Sequence, residues 1–262
     1  MSTDAFRPAA GVLATLDLLE ITQSGQVLHL RLNRPAKRNA ISDALIAQIH
    51  TAFVNLPDAM RAVIVSGAGE HFCAGLDLSE LVERDVLGAV QHSRGWHACF
   101  DAIQYGRVPV IAVLHGAVVG GGLELAAACH LRVAESSAYF GLPEGQRGIF
   151  VGGGGSVRVP RLMGTARMTD MMLTGRVFDA RDGERFGVVS YLVGEGEGVA
   201  KAVALANRIA NNAPMTAFAV MQALPRIVEQ SPSEGLFTES LMAAVASNTP
   251  EAQARLRAFL EG

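Results

Sequence analysis

Residues 118–130 read V-V-G-G-G-L-E-L-A-A-A-C-H. Between Arg107 and Arg132 the only side chain with a formal charge is Glu124, set between two leucines, after three glycines and before three alanines. A carboxylate in such surroundings costs free energy unless something pairs with it or uses it. The stretch also points to the fold class. V-I-A-V-L-H-G, residues 110–116, is a short apolar run closing on glycine, as a buried parallel strand does, and a helix begins near Leu123. The same phrase occurs earlier as A-V-I-V-S-G, residues 62–67, and leads into the turn H-F-C-A-G-L-D-L, residues 71–78. Buried strand, glycine turn and helix in succession predict an α/β chain.

Working outward, V-L-H-L-R-L (27–32) alternates and predicts a half-buried strand, followed by the turn R-P-A-K-R-N-A. From Ser42, an N-cap candidate, Leu45, Ile49, Ala52, Phe53 and Leu56 share one helical face. Two short strands are predicted within 131–142. V-G-G-G-G-S (151–156) opens another helix, Gly175 stops the next, and a further one begins at Asp179. The last strand is predicted within 188–193. Beyond residue 198 the segments are Ala-rich and helical, with breaks near Pro214, Pro225 and Pro232. The expected division is a loosely held extension over 1–17, an α/β core over 18–197 and a helical segment over 198–262. Helices that face no core of their own commonly pack on another subunit, so the last segment implies oligomerisation.

The totals narrow the function classes. Twenty-two basic against 25 acidic residues give a net charge of −3, so no strong field draws the chain to nucleic acid or an anionic membrane. The weakly charged run 108–131 holds a proline, four glycines, two histidines and Glu124, a mixture that a membrane span avoids. Cys73, Cys99 and Cys129 are odd in number and lie in apolar contexts, as reduced thiols do. M-S-T-D-A-F-R-P-A-A-G lacks the basic-then-apolar pattern of a signal peptide. A cytoplasmic protein is expected.

Glu124 has two readings at this level. It is a structural carboxylate held by a helix N-terminus, or a proton-transfer group whose apolar setting raises its pKa. The glycines at 120–122 favour the second, because they leave bare N–H groups at a helix start, suited to an oxyanion. Glu144, in F-G-L-P-E-G, is by itself an exposed turn residue after proline; a nearby carboxylate partner would divide acid and base roles with it. Asp77 reads most simply as a helix cap. R-L-N-R-P-A-K-R (31–38) packs four basic residues into eight, a solvated face or a phosphate contact. The glycine runs match neither a P-loop nor a dinucleotide fingerprint, the seven histidines show no ligand spacing, and no G-x-S-x-G is present. Neither a metal nor a redox cofactor is expected.

L-N-R-P-A-K-R-N-A, F-C-A-G-L-D-L, H-G-A-V-V-G-G-G-L-E-L-A, F-G-L-P-E, G-G-G-G-S-V-R-V-P-R and L-T-G-R-V-F-D-A stand in this order along the chain. Together they resemble the enoyl-CoA hydratase/isomerase, or crotonase, superfamily over roughly residues 20–262. The resemblance implies a right-handed spiral of ββα units with a C-terminal helical segment that forms trimers, often paired into hexamers. It implies an acyl-CoA thioester as substrate and no cofactor beyond the coenzyme A that the substrate carries. It places an oxyanion hole at the backbone N–H groups of Leu76 and Gly121, and the two hydratase glutamates at Glu124 and Glu144. Glu124 would activate water and Glu144 supply the α-proton. Lys37, Arg38, Ala74 and Asp77 fall where the family meets coenzyme A. Two features depart from the pattern. Val151 stands for a proline and Ser156 for a threonine in the loop 148–156, and no basic residue follows F-L-E at the C-terminus. Residues 79–105, with Trp96, His97 and Tyr105, match no motif. Hydration of a 2-enoyl-CoA is the expected reaction. An isomerase needs only one of the glutamates, and an RNA-binding relative would want a more basic chain.

Overall fold

In the computed structural model, residues 6–80 and 83–261 are described. Among the described residues ten strands form two sheets: β1 (Arg7–Pro8), β2 (Leu19–Ser24), β3 (Val27–Leu32), β4 (Ala62–Gly67), β5 (Val110–Leu114), β6 (Ala117–Val119), β7 (Leu131–Glu135), β8 (Tyr139–Gly141), β9 (Phe178–Asp179) and β10 (Tyr191–Val193). The larger sheet runs β1-β2-β3-β4-β5-β7-β10, antiparallel as far as β3 and parallel from β3 onward. The smaller runs β6-β8-β9. Isolated parallel bridges, Ile41 to Leu76 and Cys73 to Val118, carry the pairing of the small sheet back toward earlier turns of the chain.

The helices complete the repeat: α1 (Asp43–Val54), α2 (Val86–Gln104), α3 (Gly121–Ala128), α4 (Gly155–Met163), α5 (Thr165–Thr174), α6 (Ala180–Phe186) and α7 (Gly198–Ala210). After β3, β4, β5 and β7 the chain crosses toward the small-sheet layer before its next α-helix, whereas β10 leads directly into α7. β3, the Ile41 bridge and α1 form one turn of this winding; β4, the Cys73 bridge and α2 the next; β5, β6 and α3 a third. Ser42 caps α1 by accepting from Leu45 N–H at 3.1 Å, and the predicted face from Leu45 to Leu56 is buried.

The unbroken apolar runs have a simple cause. In β4, Val63 and Val65 face the main core, whereas Ala62 and Ile64 face a second one. β5 splits likewise, with Ala112 and Leu114 on one side and Ile111 and Val113 on the other. Both faces of the strand are dry, so alternation disappears. The second core is closed by Ala202, Leu205 and Ala206 of α7, each fully buried large side chain there contributing about 1.5–3 kcal/mol.

Two boundaries differ from expectation. Residues 1–17 read as a loosely held extension, yet Arg7–Pro8 adds a strand to β2, and Leu13 and Leu16 are buried. These are single apolar anchors without a period, so no pattern announces them; residues 1–5 lie outside the described residues. The helical segment was expected to leave the core at 198. Instead α7 covers the large sheet, and Glu135 at the end of β7 accepts from the N–H groups of Gly196 and Gly198 at its start. The change comes after α7. There α8 (Pro214–Phe218), a π turn (219–223) and α9 (Leu224–Ile227) run on without a break at Pro225, followed by α10 (Pro232–Ser247) and α11 (Pro250–Glu261). Leu224, Val228, Leu236, Phe237, Leu241 and Phe259 are exposed on this part.

Candidate active site

α3 lies wholly inside the protein, and its glycines set what may touch its first turn. Gly120, with φ +54°, takes a backbone conformation that side chains rarely adopt, and a Cβ there would meet Glu144 Oε1 at 2.7 Å. At Gly122 a Cβ would lie 2.3 Å from the Cys73 carbonyl oxygen. Glycine at both places lets the 73–77 turn and Glu144 come against the helix start.

Glu124 is 3 % exposed, in the first turn of α3. Its Oε1 accepts from the N–H groups of Gly153 and Gly155, both at 2.8 Å. Burial pushes its carboxyl up to about 7; those two N–H groups oppose the rise, Glu144 adds to it and Arg158 opposes it. Glu144 follows Pro143 after β8. It is buried, and its Oε2 has no hydrogen-bond partner among the described residues. Burial raises its pKa too, against its own backbone N–H and the Arg147 charge. One carboxyl is thus held by two donors, and the other has an oxygen with nothing to bind.

Leu76 and Gly121 complete the arrangement. Hydrogen bonds from Ile41 N–H to Gly75 O (2.7 Å) and from Asp77 N–H to Ile41 O (2.9 Å) fix the backbone on either side of Leu76. Among the described residues the N–H of Leu76 has no acceptor, and neither has that of Gly121, the first residue of α3. A Cβ on Gly75 would lie 3.6 Å from the Gly121 nitrogen, so the two turns abut. Leu76, Gly121, Glu124 and Glu144 line one cavity of about 300 Å³. The residues lining this cavity thus include two whose backbone N–H groups have no acceptor among the described residues and two that carry buried carboxyls.

The sequence profile of the enoyl-CoA hydratase/isomerase family matches residues 22–262. The chain belongs to that family. It is 32 % identical over 249 residues to a probable enoyl-CoA hydratase of Mycobacterium tuberculosis, covering 94 % of this chain and 96 % of the other. It is 36 % identical over 227 residues to the mevalonyl-coenzyme A hydratase of Aspergillus fumigatus, covering 86 % and 82 %. The crystal structure of a candidate enoyl-CoA hydratase from Rhodopseudomonas palustris superposes with a TM-score of 0.93 at 57 % identity, covering 96 % of this chain and 98 % of that one. The crotonase fold expected from the motifs is therefore present.

The enoyl-CoA hydratase/isomerase signatures are placed as follows. Lys37 and Arg38 are exposed on a short 3-10 turn, outside the cavity lining. Ala74 is half-buried, and its N–H donates to Arg38 O at 3.0 Å, which joins that turn to the Leu76 loop. Asp77 is buried. It accepts from Ser79 N–H and hydroxyl and pairs with Arg34 at 2.8 Å, and these partners hold its carboxyl down at about 2, the Ser79 hydroxyl most strongly. Its oxygens are engaged within the chain, as a capping residue's are.

The resemblance also implies that the 148–156 loop and the region 79–105 wall the pocket, and residues of both line the cavity. Trp96, Ser93 and His92 of α2 line it, as do Ile149, Phe150 and Val151. A Cβ on Gly121 would lie 2.8 Å from the Trp96 ring, so the indole covers the start of α3. The departure at Val151 falls in the cavity wall, whereas Ser156 is exposed in the first turn of α4. Gly153 and Gly155 were legible only as a glycine run opening a helix. Among the described residues, no three His, Cys, Asp or Glu side chains gather as a metal site would require, and no helix is long and apolar enough to cross a membrane.

Proposed function

We propose that this protein adds water across the double bond of a 2-enoyl-CoA thioester to give a 3-hydroxyacyl-CoA. The observation that carries the reading is the pair of buried glutamates in unlike environments, beside two backbone N–H groups without acceptors, in one cavity. The thioester oxygen would accept from Leu76 and Gly121, whose donors favour the enolate-like transition state over the neutral ground state. Glu124, held as a carboxylate acceptor by Gly153 and Gly155, takes a proton from the water whose oxygen attacks the β-carbon. Glu144 supplies the proton to the α-carbon. The names of the relatives support a hydratase, and the retention of both glutamates favours it over an isomerase.

In this reading the coenzyme A belongs to the substrate, no metal or other cofactor takes part, and Lys37 and Arg38 meet its phosphates, with the backbone near Ala74 and Asp77 alongside. The exposed apolar side chains beyond Pro214 cover one another between copies in a trimer, or in a hexamer of two trimers. The test is direct. A 2-enoyl-CoA absorbs through its conjugated thioester, and that absorbance falls on adding the protein. No fall, with double-bond migration in a 3-enoyl-CoA instead, would replace hydration by isomerisation.

A further inference from the structure

The two N–H groups that hold Glu124 belong to a loop of four glycines, the least self-restrained backbone a chain can offer. Something outside the loop must fix its peptide planes. The Gly152–Gly153 peptide is gripped at both ends. Its N–H donates to Glu124 Oε1 at 2.8 Å, and its carbonyl accepts from the Ser93 hydroxyl at 2.6 Å. The Gly153–Gly154 peptide gives its carbonyl to Arg158 at 3.1 Å, and Arg158 is braced by Gln104 (2.6 Å) and Asp101 (2.5 Å). The Gly154–Gly155 peptide returns to Glu124 at 2.8 Å. Ser93, Asp101 and Gln104 all stand on α2, the helix that no family motif covers.

We infer that Ser93 is a positioning residue for Glu124: by holding the Gly152 carbonyl it sets the plane of the peptide whose N–H grips the carboxylate. A donor on the carbonyl side polarises the peptide and strengthens the N–H on the other side. The serine has one hydroxyl proton, committed to Gly152, so in its 3.4 Å contact with His97 Nε2 the serine oxygen is the acceptor. The charged groups that face Glu124 are Glu144 and Arg158, and neither touches Ser93. Ser93 itself stands in the cavity wall, half-buried, where bound substrate would shield the bond from water.

The inference rests on the reading that Glu124 activates water, and the experiment separates the two. Ser93→Ala and Ser93→Thr are made in the full chain; alanine is a good helix former, so α2 is retained. The Glu124 carboxyl is followed by carbon NMR in glutamate-labelled protein, its resonance identified by loss in Glu124→Gln. In Ser93→Ala the carboxyl titrates about 0.5 pH unit or more above wild type, because its best-polarised donor is weakened. For a 2-enoyl-CoA, kcat falls about three- to tenfold with KM little changed, and the acidic limb of its pH profile moves up with the carboxyl. Ser93→Thr, which keeps the hydroxyl, restores both. An unmoved Glu124 titration in Ser93→Ala, or equal impairment of both variants, overturns the inference. A wild-type protein that hydrates nothing overturns the proposed function instead, and the NMR titration still decides the role of Ser93.

Discussion

Replacing Glu124 by glutamine should remove activity and, above neutral pH, make the protein more stable. Glutamine keeps an oxygen where Oε1 accepts from Gly153 and Gly155, so the loop retains both hydrogen bonds. What it removes is a carboxylate that costs free energy to ionise inside the protein. An ordinary glutamate near 4.5 raised to about 7 corresponds to about 3 kcal/mol. At 3 % exposure solvent screens little of it. The sign follows from linkage. Below 4.5 the carboxyl is neutral in both states and nothing is lost. Between 4.5 and about 7 the native protein holds a proton that the unfolded chain has released, so stability falls as pH rises. Above about 7 the whole penalty is present. The new amide N–H₂ must find partners, and this offsets part of the gain. Urea unfolding of wild type and Glu124→Gln at matched protein concentration should therefore show near-equal stability at pH 5 and a gain of about 1–3 kcal/mol for the variant at pH 8.5. A gap that does not change with pH, or a variant less stable at pH 8.5, would refute the claim that Glu124 is held against its own ionisation.

Other outcomes test other parts of the site. Glu144→Gln should lower kcat for hydration by about 10²–10⁴-fold while shifting the melting temperature little, since Oε2 forms no bond to lose. In Gly120→Ala a methyl enters at φ +54° and 2.7 Å from Glu144 Oε1; it should cost about 1–3 kcal/mol in urea unfolding and most of the turnover. Phe237→Glu, placing a charge on the exposed apolar face of α10, should lower the molecular mass measured by sedimentation if that face joins copies; an unchanged mass would assign the contact elsewhere.

Much of the scaffold was legible because it rests on local rules. The runs at 62–67 and 110–114 announce strands buried on both faces, Ser42 announces a cap, and Gly175 announces a helix end in the left-handed conformation, where its φ is +75°. The position of Glu124 in a first helical turn is equally local, since the glycines and the alanines around it are contiguous. The linked order of six motifs carried the family, and in two of them glycines mark close approaches of backbone, at Gly75 and at Gly122.

Tertiary structure alone decided what Glu124 touches. Gly153 lies 29 residues away from it in sequence and Gly155 lies 31 away, and a glycine's N–H carries no side-chain signal to reveal a partner. The burial of Glu144 behind an isolated P-E turn is of the same kind, for a carboxyl is desolvated by what folds over it. So is the role of α2, whose Trp96 and Ser93 meet the active site only because the helix crosses the glycine loop. The docking of α7 on the large sheet was hidden for a related reason: amphipathic helices look alike whether the apolar face meets their own sheet or another subunit. Short-range stereochemistry is written in contiguous residues; desolvation and long-range hydrogen bonding come into being only when distant segments meet.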